Sequence, residues 1–297
     1  MPLHPATESA PRPAGNGRPP RTDPPAGGGS LTVEWVAGQS VVTSAWAATP
    51  LTLLTPRPAG AYVQACLGNH GGGLVAGDEI RLALRVGAGA MCHLGTQAST
   101  KVYRNPLGLP CGQRVSARVE SCAMLAFLPD PVQPFAGSGY LQEQEFELEV
   151  DANLVLVDWL SAGRVARGER WSFSRFQSRN RVSVAGRLAW WDSLRLDPAD
   201  GKLAGVARLG RFNCLALALL MGPKLERAAA NLLSRVGGQP VRSRAMLVTA
   251  ASPLPGGVLL RLVGESTERV ECEIREQLAE AMASFHDDPW GRQGWGD

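Results

Sequence analysis

The chain has 297 residues, 44% of them hydrophobic, and a formal net charge of +3, so it can bury a large core as one domain or two small ones. Its basic residues are spread along the chain without forming a patch, which argues against nucleic-acid binding, and no run reaches the ~18 apolar residues of a membrane span. Six cysteines, Cys66, Cys92, Cys111, Cys122, Cys214 and Cys272, include no C-x-x-C pair and read as free, mostly buried thiols of a reducing compartment.

Residues 1–30 are rich in proline and end in Gly27-Gly28-Gly29, with almost no large apolar side chain. Such a segment cannot offset its own ordering entropy, and a disordered tail is expected. It carries no apolar stretch of the kind a secretory leader needs, which sets the expectation of a cytoplasmic protein. Strand signals then recur at 31–35, 40–46, 51–54, 62–67 and 80–86. In the last of these Ile80, Leu82, Leu84 and Val86 alternate with Arg81, Ala83 and Arg85, the period-2 pattern of a half-buried strand. With the turn Gly87-Ala88-Gly89-Ala90 and the strand that starts at Met91, it reads as a β-hairpin.

The glycines ahead of that strand, Gly71, Gly72, Gly73 and Gly77, suggest phosphate binding only superficially. A P-loop needs Lys and Ser or Thr where this chain has Asp78 and Glu79, and a dinucleotide fingerprint needs a helix where a strand follows. They read as turn and close-approach positions. Cys92 and His93 are a soft-metal pair in composition, but strand neighbours point to opposite faces and share an ion only if the strand ends there.

Further along, Val115, Ala117 and Val119, then Phe146, Leu148 and Val150, alternate with charged residues as half-exposed strands. The apolar run 154–159, broken only by Asp158, reads as a central strand with both faces covered. Strands at 170–176, 181–184 and 187–196 follow. Many short strands between Gly, Pro and Asn turns predict a mostly antiparallel β architecture. Helices are predicted at 206–221, at 225–236 with Gly237-Gly238 as the stop, and from about 267 to 286; strands at 244–249 and 258–263 lie between them. The fold class is thus mainly β, a many-stranded antiparallel or mixed scaffold with a smaller α+β C-terminal part, spanning 31–288 with a loose end at 289–297. Trp35, Trp46, Trp171, Trp190 and Trp191 read as core or interface.

The chain carries no G-x-S-x-G elbow and no H-E-x-x-H motif, and only four histidines, so no established hydrolytic signature applies. Asp158 and Glu169 stand out: a buried carboxylate must be paired, hydrogen-bonded or protonated. An ion pair with Arg164 or Arg167 is the plain structural reading. A carbohydrate-active hydrolase would need both carboxylates facing one cleft about 5–10 Å apart. A β-rich small-molecule-binding module is a further alternative.

Three ordered motifs carry a resemblance. The run Gly72-Gly73-Leu74-Val75-Ala76-Gly77-Asp78, a strand, then Thr96-Gln97-Ala98-Ser99-Thr100-Lys101-Val102-Tyr103-Arg104 is the first. The segment from Leu125 through Pro129, Asp130 and Pro131 to Phe135 is the second, and Gly163-Arg164-Val165-Ala166-Arg167-Gly168-Glu169 is the third. Together they resemble the UreD (UreH) family of urease accessory proteins over roughly residues 62–185. Departures are Gly95-Thr96-Gln97 where the family commonly has Thr-Thr-Gln, Ala126-Phe127 where it has an acid and Trp, and Asp130 in place of Gln. The resemblance implies a non-enzymatic scaffold that joins the urease apoenzyme to UreF and, through UreF, to the GTPase UreG. It further implies a dimer of such heterocomplexes, no tightly bound cofactor, and transient Ni2+ moving through an internal passage. Hard oxygen donors suit such a passage because they release nickel, so Asp78, Thr96, Gln97, Asp158 and Glu169 are the expected lining. Gly72, Gly73, Gly77, Lys101, Tyr103, Arg104, Pro129, Pro131, Phe135, Gly163, Arg164 and Gly168 are expected to pack or dock.

Overall fold

The computed structural model describes residues 25–57, 60–109, 111–240 and 244–285. Most of the expected tail and the whole of the expected loose end at 289–297 lie outside the described residues. In chain order the strands are β1 (Gly28–Val36), β2 (Gln39–Ala47), β3 (Leu51–Leu54), β4 (Val63–Asn69), β5 (Glu79–Val86), β6 (Met91–Thr96) and β7 (Thr100–Val102). Next come β8 (Gly112–Val119), β9 (Met124–Leu128), β10 (Val132–Pro134), β11 (Gly139–Leu148), β12 (Asn153–Ser161), β13 (Arg175–Val184) and β14 (Arg187–Leu196). The last part is β15 (Cys214–Met221), α1 (Glu226–Gly237), β16 (Leu247–Leu254), β17 (Gly257–Gly264) and α2 (Thr267–Met282).

These strands build two sheets. The first has seven strands in the order β14-β13-β11-β8-β5-β1-β2; the second runs β16-β17-β15-β12-β9-β6-β4-β3, with short β7 and β10 attached off that path. The expected hairpin at Gly87-Ala88-Gly89-Ala90 is corrected here, because β5 belongs to the first sheet and β6 to the second. From β4 to β13 the chain passes back and forth between the two sheets, each return landing one strand further on. Consequently β5, β8, β11 and β13 pair in parallel in the first sheet, as do β4, β6, β9 and β12 in the second. Antiparallel pairing is confined to the flanks, at β1 with β2, β13 with β14, β3 with β4, and the β12-β15-β17-β16 run. Period-2 alternation is the same in both kinds of ladder, so the pattern identifies strands without saying which neighbour each one takes.

Between the sheets lies a core of inward residues, among them Leu82, Leu84, Phe127, Phe146, Leu154, Leu156 and Phe176. Strand β12 is buried along its whole length, as its apolar run predicts. Its other face, with Val155, Val157 and Trp159, joins Leu232, Ile274, Leu278 and Phe285 in a second core beneath the helices. Helix α2 begins at Ser266, whose hydroxyl accepts the Arg269 N–H at 3.3 Å as an N-cap.

The C-terminal third departs from expectation at one element. The segment 206–221 is not a helix; residues 214–221 form β15, hydrogen-bonded to β12 on one side and β17 on the other. Its residues Cys214, Ala216, Ala218 and Leu220 face the helices while Leu219 and Met221 face the inter-sheet core. A run apolar on every face satisfies either period, and two waiting ladders override the helix propensity of Leu, Ala and Met. Strand β1 also starts at Gly28, inside the stretch expected to be a tail. Among the tryptophans, Trp171 and Trp190 are core, whereas Trp35, Trp46 and Trp191 are exposed.

Phe127 is fully buried, with its ring 6.0 Å from that of Phe146 on the facing sheet. Phe127→Ala is expected to cost about 3–5 kcal/mol, read as a lowered urea midpoint.

Candidate functional site

Parallel strands in register align their inward residues into rows across the first sheet. One row runs Ile80, Gln113, Gln142, Ser178, Leu194, and the next runs Leu82, Val115, Gln144, Asn180, Asp192. Ahead of them, where Glu79, Gly112 and Leu141 are partners, the preceding residues are Asp78, Cys111 and Tyr140. A seam of polar groups therefore crosses a core that is otherwise apolar.

Asp158 meets this seam from the second sheet. It is 9% exposed and lies on the same face of β12 as Leu154 and Leu156. Its carboxylate accepts from Gln142 Nε2 at 2.8 Å, Ser178 Oγ at 2.6 Å and Asn180 Nδ2 at 2.7 Å. All three donors are neutral, and among the described residues Asp158 has no arginine or lysine partner. Asp158 does not make the expected ion pair with Arg164 or Arg167; Glu169 makes it, with Arg164. Behind Gln142 stands Tyr140, whose hydroxyl donates to Gln142 Oε1 at 3.4 Å. Burial, with the nearby Cys111 and Asp158 adding to it, holds the Tyr140 phenol well above its ordinary value. The Cys111 thiol is pushed up to about 12, first by burial and then by the charge of Asp78. Asp78 itself closes the turn before β5, accepting the Val75 N–H at 2.8 Å.

The glycine-rich turn and the other motif segments converge elsewhere, at the ends of β7 and β10. Leu74 N–H donates to the Lys101 carbonyl at 2.8 Å and Tyr103 N–H to the Leu74 carbonyl at 2.9 Å. Gly73 admits no side chain, since a Cβ there would lie 2.6 Å from the Lys101 carbonyl oxygen. Tyr103 packs edge-on against Phe135 at 5.4 Å, and the Arg164 guanidinium lies over the same Phe135 ring at 4.1 Å. Glu169 is bound by Arg164 through Nε at 2.9 Å and through Nη2, and also accepts the Ala136 N–H at 3.1 Å. Gly163 makes the bend that allows this, with φ +100° and the Pro134 carbonyl oxygen 2.7 Å from where a Cβ would be; Gly72, Gly77 and Gly168 also have positive φ. Tyr103, Arg104, Phe135, Ala136, Gly137, Arg164 and Glu169 line a pocket of about 510 Å³.

Asp158 does not line that pocket, so the two carboxylates a hydrolase would need do not share it. Thr96 is engaged with Asp130, donating to Oδ2 at 3.0 Å and accepting from its N–H at 2.7 Å. Asp130 thus has a defined role despite its departure from the family pattern. Gln97 is exposed at the end of β6 beside Gly68. Pro129 offers its carbonyl to the Trp159 indole N–H at 2.7 Å, and Pro131 is buried. Cys92 belongs to the inter-sheet core while His93 faces Phe285 under the helices, so the two do not face a common ion.

Of the expected lining residues, Asp78 and Asp158 belong to the polar seam, whereas Thr96, Gln97 and Glu169 are held in other local contacts. Sequence reasoning missed Cys111, Tyr140, Gln142, Gln144, Ser178 and Asn180. A signal was present: Gln142 and Gln144 are in phase with Phe146 and Leu148, and Ser178 and Asn180 with Phe176 and Val182, at positions where a half-buried strand ordinarily carries apolar side chains.

The Arg164 guanidinium, helped by the Ala136 N–H, holds the Glu169 carboxyl below its ordinary value of 4.5. This stabilisation is fully present above that value and is lost as pH falls through the lowered one. Arg164→Gln should therefore lower the melting temperature at neutral pH, with the deficit shrinking as pH drops below about 4.5; a deficit that does not change with pH contradicts the assignment.

Comparison with known proteins gives a consistent picture. A family model described as UreD urease accessory protein matches residues 26–292. The urease accessory protein UreD of Sorangium cellulosum (strain So ce56) is 48% identical over 269 residues, covering 90% of this chain and 84% of that protein. That of Anaeromyxobacter sp. (strain Fw109-5) is 44% identical, covering 90% of this chain and 89% of that protein. Urease accessory protein D of Oryza sativa subsp. japonica is 33% identical, covering 86% of this chain and 92% of its own length. The chain therefore belongs to the UreD family of urease accessory proteins.

Proposed function

We propose that this chain is a non-catalytic cytoplasmic maturation factor that joins the urease apoenzyme to UreF and, through UreF, to UreG, and that nickel moves through its inter-sheet seam during insertion. The observation that carries the nickel reading is Asp158, a carboxylate buried between two sheets and held by an amide, a hydroxyl and another amide. A buried charge without a counter-ion is costly, and a divalent cation in transit is the natural partner for it.

The donor set suits passage better than storage. Carboxylate, amide and hydroxyl oxygens hold nickel loosely, while imidazole and thiolate hold it tightly. The one sulfur in the row of Asp78, Cys111 and Tyr140 stays protonated because the Cys111 thiol is pushed up to about 12, and it is the thiolate that binds metal. Asp78, half-buried at the head of that row, supplies the charge that draws a cation to the mouth. The cluster of Tyr103, Phe135, Arg164 and Glu169 is cross-linked by ring, cation–ring and ion-pair contacts and partly exposed, which fits docking of a protein partner. The assembly as a dimer of heterocomplexes belongs to the same reading.

Co-expression with urease and its accessory proteins, followed by pull-down and activation at limiting nickel, tests it. Asp158→Asn and Asp78→Asn should leave the assembled complex intact and reduce activation on the order of tenfold. Full activation by both variants in a correctly assembled complex overturns the passage. Loss of urease and UreF from the pull-down with the unaltered chain overturns the scaffold.

A further inference from the structure

The seam does not stop at Asp158. In the first sheet Gln144, Asn180 and Asp192 are successive partners across β11, β13 and β14; in the second, Asp158, Leu217 and Arg261 are successive partners across β12, β15 and β17. The two rows are joined by two contacts. Asn180 Nδ2 donates to Asp158 at 2.7 Å, and Arg261 Nη2 donates to Asp192 Oδ1 at 3.4 Å. Asn180 is 0% exposed and Gln144, its partner on β11, 1% exposed, yet the amide oxygens Asn180 Oδ1 and Gln144 Oε1 accept no hydrogen bond from the protein. Buried amide oxygens ordinarily have a donor or a cation.

We propose that Asp158, Asn180 and Asp192 form a holding point for a hydrated divalent cation, and that Arg261 is the built-in counter-cation that occupies Asp192 until the ion arrives. This rests on the passage reading and adds to it a side exit between β14 and β17. The charges support it: two carboxylates and one guanidinium leave one negative charge, and exchanging the guanidinium for a divalent ion balances the pair. The Arg261 side chain is 54% exposed against 20% for Asp192, and its contact is long, so release to solvent costs little. The ligating atoms offered by Asp158, Asn180 and Asp192 are oxygens, which favours hard or borderline divalent cations and fast release.

The experiment uses the full chain in its complex with partner proteins, Ni2+ alone as probe in equilibrium dialysis, and urease activation as a second readout. Arg261→Met and Arg261→Gln should each raise nickel retention about two- to fivefold, the fold-change that corresponds to an exposed ion pair; Arg261→Lys should restore the original value. Asp192→Asn should lower retention on the order of tenfold. Melting temperatures identify any variant that fails to fold, and the two uncharged replacements of Arg261 guard against a packing effect in one of them. If folded Arg261 and Asp192 variants retain nickel as the unaltered chain does, the exchange is overturned, while an Asp158→Asn defect in activation would leave the passage standing. If Asp158→Asn also activates normally, the passage itself falls.

Discussion

Register across parallel strands is the constraint on which this molecule depends. Because the chain passes back and forth between two sheets from β4 to β13, every strand of the coil adds one residue to each inward row, and residues far apart in sequence become lateral neighbours. Rows of Leu, Val and Phe give the core that holds the sheets together. A row with an amide or hydroxyl on neighbouring strands, as at Gln113, Gln142 and Ser178, gives a polar seam by the same geometry, with no loop or cleft required.

Two kinds of carboxylate follow from where they fall in this arrangement. Glu169 lies at the end of the coil, where a single bend at Gly163 brings it onto Arg164; there it fastens three motif segments to one another and its charge is balanced locally. Asp158 lies within the sandwich, where amides and a hydroxyl satisfy its hydrogen bonds without balancing its charge. A leucine would fill that space at lower cost, since apolar replacements of buried ionic groups are often neutral or stabilising. Places where a chain departs from the locally favourable choice are where function is expected to reside. The contrast also explains why the sulfur and the phenol of the seam, Cys111 and Tyr140, are compatible with cation transit: burial keeps both in their neutral forms.

The helices have a plainer task. Residues Val270, Ile274 and Leu278 of α2 and Leu232 of α1 cover the outer face of the second sheet, and Glu280 ties the pair by accepting from Arg227 and Asn231. This covering is what buries β12 on both faces, while strand alternation turns Asp158, with Leu154 and Leu156, toward the seam.

The sequence by itself determined the strands at β5, β8 and β12, the helices α1 and α2, and the family, because alternation, caps and ordered motifs are local properties of the chain. It also singled out Asp78 and Asp158, since a carboxylate after a glycine turn and one inside an apolar run are visible without coordinates. Tertiary structure alone decided that β5 and β6 part into different sheets, that 214–221 is a strand, and that Gln142, Ser178 and Asn180 surround Asp158. The reason is physical: a period-2 pattern says which side of a strand is buried but is blind to which strand lies beside it, and a run apolar on all sides takes whichever ladder is open to it. Rows are made by register, and register is a relation between strands that no single stretch of sequence contains.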